Sequence, residues 1–454
     1  MSEDSGARKV LEADLQYVLE GACQKILSQG KARAAITEES LSIMPKYGDP
    51  LFFLLRDIDR MTVEDYEIGL TMGTESLLLS RLGRRFDDFG RQLRRMRHEV
   101  FITDLLMYER LRQGGLKGHA SYQPGDEGRA FSGPCEIRLY ETALVLLPTD
   151  DEPMRMPYGF MTRFEEADYS LTIGTQQGDT LVLSRLGRQF ALLTRVLSAI
   201  INDLSVKVQE VLRELAPTAS PAVVRQAAGL LRDGQAVKRQ QLEALSPELW
   251  CSLEERLALA GLKYEYDHLC SVGRGDLISI GIKRGLLGEE TGDYLWFLVP
   301  IYDVDASRPG NALALEAAAG EGQGRATYFF RIMTREQYRI TQDRDTLQQA
   351  AADCIEEVNR CMIAVNFRRE PIYLQDESLK KPHYQRYAAA VRKIPELRNL
   401  RRRFIGRVFH RSPKQWQDDV SDLLTFHVQA TGEDQRWTKV ESMTGAPDLT
   451  GESL

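Results

Sequence analysis

The densest set of chemically capable side chains is the run RKIPELRNLRRRFIGRVFHR at residues 392–411. It sets Arg392, Lys393, Arg398, Arg401, Arg402, Arg403, Arg407 and Arg411 against a single acid, Glu396. Guanidinium groups suit bidentate contacts to carboxylate or phosphate. Leu397, Leu400, Phe404 and Val408 fall at steps of three and four, which reads as an apolar helix stripe with arginine on both flanks. Arg401, Arg402, Arg403 and Arg407 are therefore the candidate partner-binding residues. Three uses fit such a run: a solvated helix face, a docking surface for an acidic protein, or contact with nucleic acid or an anionic membrane.

Other chemistry finds little support. The six His and six Cys are scattered, without the CxxC, HxxxH or HExxH spacing of metal sites, so no metal is expected. Cys354 and Cys361 lie on one expected helix face and read as small core residues. Ser271–Asp276 and Ala317–Ala326 are glycine-rich, but each lies between expected strands, where a hairpin turn explains it better than a phosphate loop. Glu165-Glu166, Glu289-Glu290 and Glu356-Glu357 are adjacent in sequence, so their carboxylates diverge. No cofactor is expected, and the chain reads as a non-enzyme.

These residues must be carried by a chain of 454, enough for several domains. It is 43% hydrophobic and 28% charged with net charge -7, a globular balance that argues against a general nucleic-acid binder. The polar start MSEDSGARKV, the lack of a long apolar run and the sparse cysteines lead us to expect a reduced, cytoplasmic location.

An internal repeat organises the first half. Leu79-Ser80-Arg81-Leu82-Gly83-Arg84 recurs letter for letter as Leu183-Ser184-Arg185-Leu186-Gly187-Arg188, and Ile36–Pro45 aligns without a gap on Leu139–Pro148. The second copy gains one residue in the turn after Gly73. Alternating apolar residues predict hairpins in both copies. The period then changes: Phe86, Phe89, Leu93, Met96 and Val100, and equally Phe190, Leu193, Leu197, Ile200 and Leu204, follow helical steps. Each copy is expected to be an antiparallel meander closed by a long amphipathic helix. Gly83 and Gly187 stand at the bend.

This order resembles the pleckstrin-homology-like superfamily, especially its short bacterial and GRAM-type members, over residues 31–112 and 132–215. About five strands are legible per copy where that family has seven. The resemblance implies protein or peptide binding at a sheet edge or beside the helix. It also raises phosphoinositide binding through Lys and Arg on the first hairpin. With Ile36–Pro45 taken as that hairpin, its turn holds Glu38 and Glu39, and the second copy holds Glu141, with Asp150, Asp151 and Glu152 following. Acid there would repel an inositol phosphate.

The expected layout is an α+β chain. Residues 1–30 form an N-terminal helix, on Leu11, Leu15, Leu19, Ala22 and Ile26. Residues 31–115 and 116–216 are PH-like domains 1 and 2, with the arginines Arg84 to Arg97 of the first capping helix on a solvated face. Residues 217–262 are a helical connector, and 263–378 a third antiparallel α+β domain whose strands-then-helix order suggests an outlying PH-like fold. Residues 379–429 are a basic helical region, and 430–454 a disordered tail. The function expected is a non-enzymatic adaptor or scaffold subunit, holding a protein partner or a second copy of itself. The rival is a nucleic-acid-associated or chaperone-like factor that uses the basic C-terminal helix.

Overall fold

The computed structural model describes residues 11–106, 109–125, 130–149, 151–285, 293–318 and 325–438. These form an α+β protein with three antiparallel sheets. They divide into two compact units: residues 1–210, 285–291 and 362–397, and residues 211–284, 292–361 and 398–454.

In the first unit, β1 (Leu11–Glu20), β2 (Ile26–Ile36), β3 (Ser40–Pro45), β4 (Leu51–Leu54), β5 (Arg60–Glu64), β6 (Glu67–Met72) and β7 (Glu75–Ser80) lead into α1 (Phe86–Asp104). The second sheet repeats this with β8 (Leu111–Gln123), β9 (Phe131–Tyr140), β10 (Ala143–Pro148), β11 (Met154–Pro157), β12 (Met161–Ala167), β13 (Ser170–Thr175) and β14 (Thr180–Ser184), followed by α2 (Phe190–Leu215). The strand orders β4-β3-β2-β1-β7-β6-β5 and β11-β10-β9-β8-β14-β13-β12 are the same. Each sheet buries one face under its helix. Phe89, Leu93 and Val100 join Leu15, Ile36, Leu41, Ile68 and Leu79 in one core. Leu193, Leu197 and Ile200 join Ile137, Leu144, Ile173 and Leu183 in the other.

Small features recur as well. Asp65 and Tyr66 have φ of 49° and 62°, and Asp168 and Tyr169 of 49° and 57°, so the same tight hairpin turn joins β5 to β6 and β12 to β13. Arg81 and Gly83 both have positive φ, as do Arg185 and Gly187, where each sheet hands over to its helix. The extra residue of the second copy lies where expected: two residues separate Met72 from Glu75, three separate Thr175 from Asp179.

The expected N-terminal helix is instead the hairpin β1–β2. Leu11, Leu15 and Leu19 are four apart, a spacing that satisfies both a helix and an alternating strand. The residues between decide it: Ala13, Leu15, Tyr17 and Leu19 are all buried, while Asp14 is exposed and Gln16 and Val18 are only half-covered. This hairpin supplies the two strands that the sequence reading lacked. The first repeat therefore starts at β1 rather than at residue 31, and the second starts at Leu111.

The second unit begins with helices α3 (Pro221–Leu230), α4 (Arg239–Leu245) and α5 (Pro247–Leu259), as expected for a connector, but helix continues into α6 (Lys263–Val272), where strand was anticipated. Between them lies the short β15 (Val237–Lys238). It opens a sheet continued by β16 (Ser279–Arg284), β17 (Asp293–Ile301), β18 (Ala312–Ala318), β19 (Ala326–Arg331) and β20 (Phe404–Phe409), in sequential order β15 to β20. That order differs from the interleaved order of the first two sheets, so the outlying-repeat expectation for residues 263–378 does not match it. Helices α7 (Arg335–Ile340) and α8 (Arg344–Ala364) follow β19, and the anticipated α8 stripe, from Leu347 through Cys354 to Met362, is buried.

The chain then forms α9 (Glu370–Tyr373), α10 (Asp376–Leu379), α11 (Gln385–Lys393), α12 (Pro395–Arg403) and, after β20, α13 (Pro413–Gln429). The expected disordered tail is ordered to Thr438. The Trp437 amide donates to the Ile405 carbonyl at 2.8 Å, and Glu433 pairs with Arg331. The remainder of that segment, from Lys439, lies outside the described residues, as do Asp150 and the Glu289-Glu290 pair. No helix among the described residues is long and apolar enough to cross a membrane.

Gly83 and Gly187 test the sheet-to-helix junction. A Cβ at either meets nothing within 4 Å, so their φ of +57° and +55° is the whole obstacle. Gly83→Ala and Gly187→Ala should each cost about 1 kcal/mol in urea unfolding of the full chain. Gly133→Ala, with similar space and no positive φ, should be neutral or slightly stabilising.

Candidate functional site

The outer face of the first sheet carries a basic cleft. Because β1 and β2 alternate, burying Leu15, Ala32 and Ala34 turns Asp14, Gln16, Lys31 and Arg33 outward. Register places Gln16 opposite Lys31, and Arg33 between Asp14 and Met44. The Lys46 amide donates to the Lys31 carbonyl at 3.1 Å, which continues the Gln16–Lys31 row. With Arg81 these residues line an open cleft of about 490 Å³. Lys31, Arg33, Met44, Lys46 and Arg81 are all exposed. Arg33 forms an ion pair with Glu12 at 2.6 Å, its side chain remaining 67% exposed.

The matching face of the second sheet has lost three of these four cations, keeping Arg81 as Arg185 and carrying Lys117 where the first has Asp14. His119 lies opposite Ser184 as Gln16 lies opposite Ser80, which aligns the two registers. Pro134 then corresponds to Lys31, Glu136 to Arg33, Leu147 to Met44 and Thr149 to Lys46. Strand β10 is buried on both faces. Next to it, Arg155 of β11 donates to the Ile363 carbonyl at 3.0 Å, and Asn366 donates to Glu109 at 3.1 Å. Glu109 also accepts the Thr142 amide at 2.7 Å, so a buried polar knot ties segment 363–366 to the second sheet.

The first hairpin of the first copy turns at Gly21–Lys25, whereas Glu38 and Glu39 belong to the β2–β3 turn. Glu141 likewise lies between β9 and β10. Glu38, Glu39 and Glu141 thus stand at the second turn of each copy, away from the first hairpin.

The four arginines singled out in sequence do not share an exposed face. Helix α12 ends at Arg403, and the chain continues as β20. Arg401 is buried, and its carbonyl accepts from Arg436 at 3.2 Å. Arg403 pairs with Glu357 at 2.6 Å and donates to the Arg331 and Ile332 carbonyls at 3.1 and 2.6 Å. Arg407 is a half-buried strand residue with its guanidinium 4.6 Å from the Phe409 ring centroid. Arg402 is exposed. The apolar stripe Leu397, Leu400, Phe404 and Val408 is divided between α12 and β20, and in β20 a bulge shifts the pairing with β19 between Val408 and Phe404.

The second unit holds a buried polar cluster that spacing could not reveal. Glu316 is fully buried and accepts from the Thr327 hydroxyl at 2.6 Å, with His410 Nε2 at 2.9 Å. The other ring nitrogen of His410 lies 3.3 Å from Glu265. Trp416 donates its indole N–H to Thr327 at 3.0 Å. These groups join α6, β18, β19 and α13, with Glu265 Oε2 left buried without a hydrogen-bond partner. Among the described residues, no group of three or more His, Cys, Asp or Glu is arranged to hold a metal. Cys354 and Cys361 are both buried, and burial pushes the Cys354 thiol up to about 12.

One α1 arginine also departs from expectation. Arg97 is buried rather than solvated, donating to the Ile58 carbonyl at 2.9 Å and the Asp59 carbonyl at 2.8 Å. Its neighbour His98 is lowered to about 3 by burial, then by the nearby Arg97 and Arg94 charges. His427 in the second unit is lowered to about 3 by burial and by Arg335, which lies 3.1 Å from its Nδ1.

No family model matches the chain, and no curated protein matches it. Among solved structures it is similar to one described as "Structure of the Spt16D Pob3N heterodimer". That likeness is 13% identical, covers 37% of this chain and 84% of that one, and has a TM-score of 0.15. A score that low carries no argument about fold or function.

The two buried histidines predict acid lability. Each is neutral when folded and takes a proton below about 6.5 once unfolded, so stability falls as pH drops from 6.5 toward 3. His98→Gln and His427→Gln should each flatten that limb by about 1 kcal/mol per pH unit, read from urea midpoints at pH 4 to 7. Parallel wild-type and variant curves would refute the assignment.

Proposed function

We propose that this chain is a non-enzymatic adaptor whose first half is a tandem pair of PH-like domains, with a protein partner held on the outer face of domain 1. The supporting observation is the divergence of two otherwise corresponding faces. The first sheet keeps an exposed basic cleft, while β10 in the second is buried on both faces and three of the four cleft cations, Lys31, Arg33 and Lys46, are replaced by Pro134, Glu136 and Thr149, Arg81 being retained as Arg185. An exposed concave surface with clustered cations, on a chain of net charge -7, is a recognition feature rather than a general consequence of composition. The strand order with a closing helix, present in both copies, favours the PH-like reading. The polar cluster around Glu316 is read as structural because its partners are internal. The proposed binding surface is thus the cleft and not Arg401, Arg402, Arg403 and Arg407.

Co-purification of the tagged full chain from its native extract tests this. A stoichiometric protein partner should be recovered. Lys46→Glu/Arg81→Glu should remove it without shifting thermal unfolding, while Arg402→Glu should leave it in place. Failure to recover any partner, or retention of that partner by the cleft variant, would overturn the proposal.

A further inference from the structure

The spacing of the cleft cations narrows the class of partner, an inference that rests on the adaptor reading above. Lys31 and Arg33 are two apart on β2 and both face outward, since Ala32 and Ala34 between and beyond them are buried. Two residues of antiparallel strand span about 6.8 Å. The same repeat separates alternate side chains of any extended peptide. A strand-like segment lying along β2 would thus bring every second side chain to the Lys31–Arg33 interval without bending. Lys46 and Arg81 line the same cleft, so carboxylates beyond the first pair also meet cations. Asp14 lines the cleft, and the half-buried Glu12 pairs with Arg33 from beside it. The Arg33 side chain stays 67% exposed in that pair, so its guanidinium remains open to a partner carboxylate.

We propose that the outer face of the first sheet binds an extended acidic peptide segment of a partner protein, with carboxylates at alternate positions. A membrane fits less well. Lys31 and Arg33 lie in mid-strand and line, with Lys46 and Arg81, a cleft of about 490 Å³, whereas a flat bilayer would first meet the exposed β1–β2 tip at Ile26 and Leu27. The size falls in the range of clefts that enclose ligand groups. Met44, 40% exposed beside Arg33, offers an apolar contact to a side chain between two acids.

Fluorescence anisotropy on the full chain decides it. The probe is a labelled short peptide with glutamate at alternate positions, compared with one of identical composition whose glutamates are contiguous. The alternate peptide should bind, and Lys31→Glu/Arg33→Glu should weaken it roughly tenfold or more, about 1.4 kcal/mol. Arg163→Glu, an exposed reversal on β12, should have no effect. Equal binding of both peptides would overturn the alternate-spacing proposal. So would retention by vesicles containing phosphatidylserine or a phosphoinositide without peptide binding. If Lys31→Glu/Arg33→Glu abolishes partner recovery while the alternate peptide never binds, the adaptor reading stands and this inference falls. If neither partner nor peptide responds to that variant, both fall.

Discussion

A seven-stranded antiparallel sheet with one apolar face has to cover that face, and in both copies the helix that follows the last strand does so. Phe89, Leu93 and Val100 close the first core, and Leu193, Leu197 and Ile200 the second. Burying a single large apolar side chain contributes about 1.5–3 kcal/mol, so these stripes outweigh any surface ion pair in the molecule. The junction must then aim the helix back across the sheet. The left-handed residues Arg81 and Gly83, with Arg185 and Gly187, make that change of direction in the same way twice. Arg97 adds a polar tie from α1 to the carbonyls of Ile58 and Asp59.

Once the inner face is committed to the core, the outer face is released from packing and can diverge. The two copies show both outcomes. In the first sheet the outward positions carry an exposed basic cleft. In the second, β10 is buried on both faces, and the adjoining Arg155 and Glu109 hold segment 363–366. Position by position, Lys31 has become Pro134 and Arg33 has become Glu136, while the inward pattern is retained. Packing constrains one face of a strand, and charge on the other follows from what touches it.

The second unit is organised differently. Its sheet is largely buried on both faces, so charged groups within it need partners of their own. Lys283 meets Asp233 at 2.7 Å, and Glu316 is met by Thr327 and His410. Removing one member of such a set leaves an uncompensated buried charge, typically worth about 3–5 kcal/mol. The same logic absorbs Arg403, whose guanidinium is occupied by Glu357 and two carbonyls.

The repeat, the two helix stripes, the shared turns and four strands of the third sheet were legible in the amino-acid order, because each depends on local periodicity or on letter-level identity. The β1–β2 hairpin and β20 were not. In β1, Leu11, Leu15 and Leu19, four apart, fit two periods, and in β20 a bulge breaks the period, so only the neighbours that pack against each segment choose between helix and strand. The arginine run showed its charge but not its use, since whether Arg401 lies in the core or in solvent depends on segments far away in sequence. The basic cleft was beyond sequence for the same reason. Asp14, Lys31, Met44 and Arg81 become one surface only when strand register brings β1, β2, β3 and the end of β7 side by side. Sequence by itself determined which faces are apolar and that the architecture is used twice. Tertiary structure alone decided which charges stand together, because register and burial are properties of paired elements and not of any one of them.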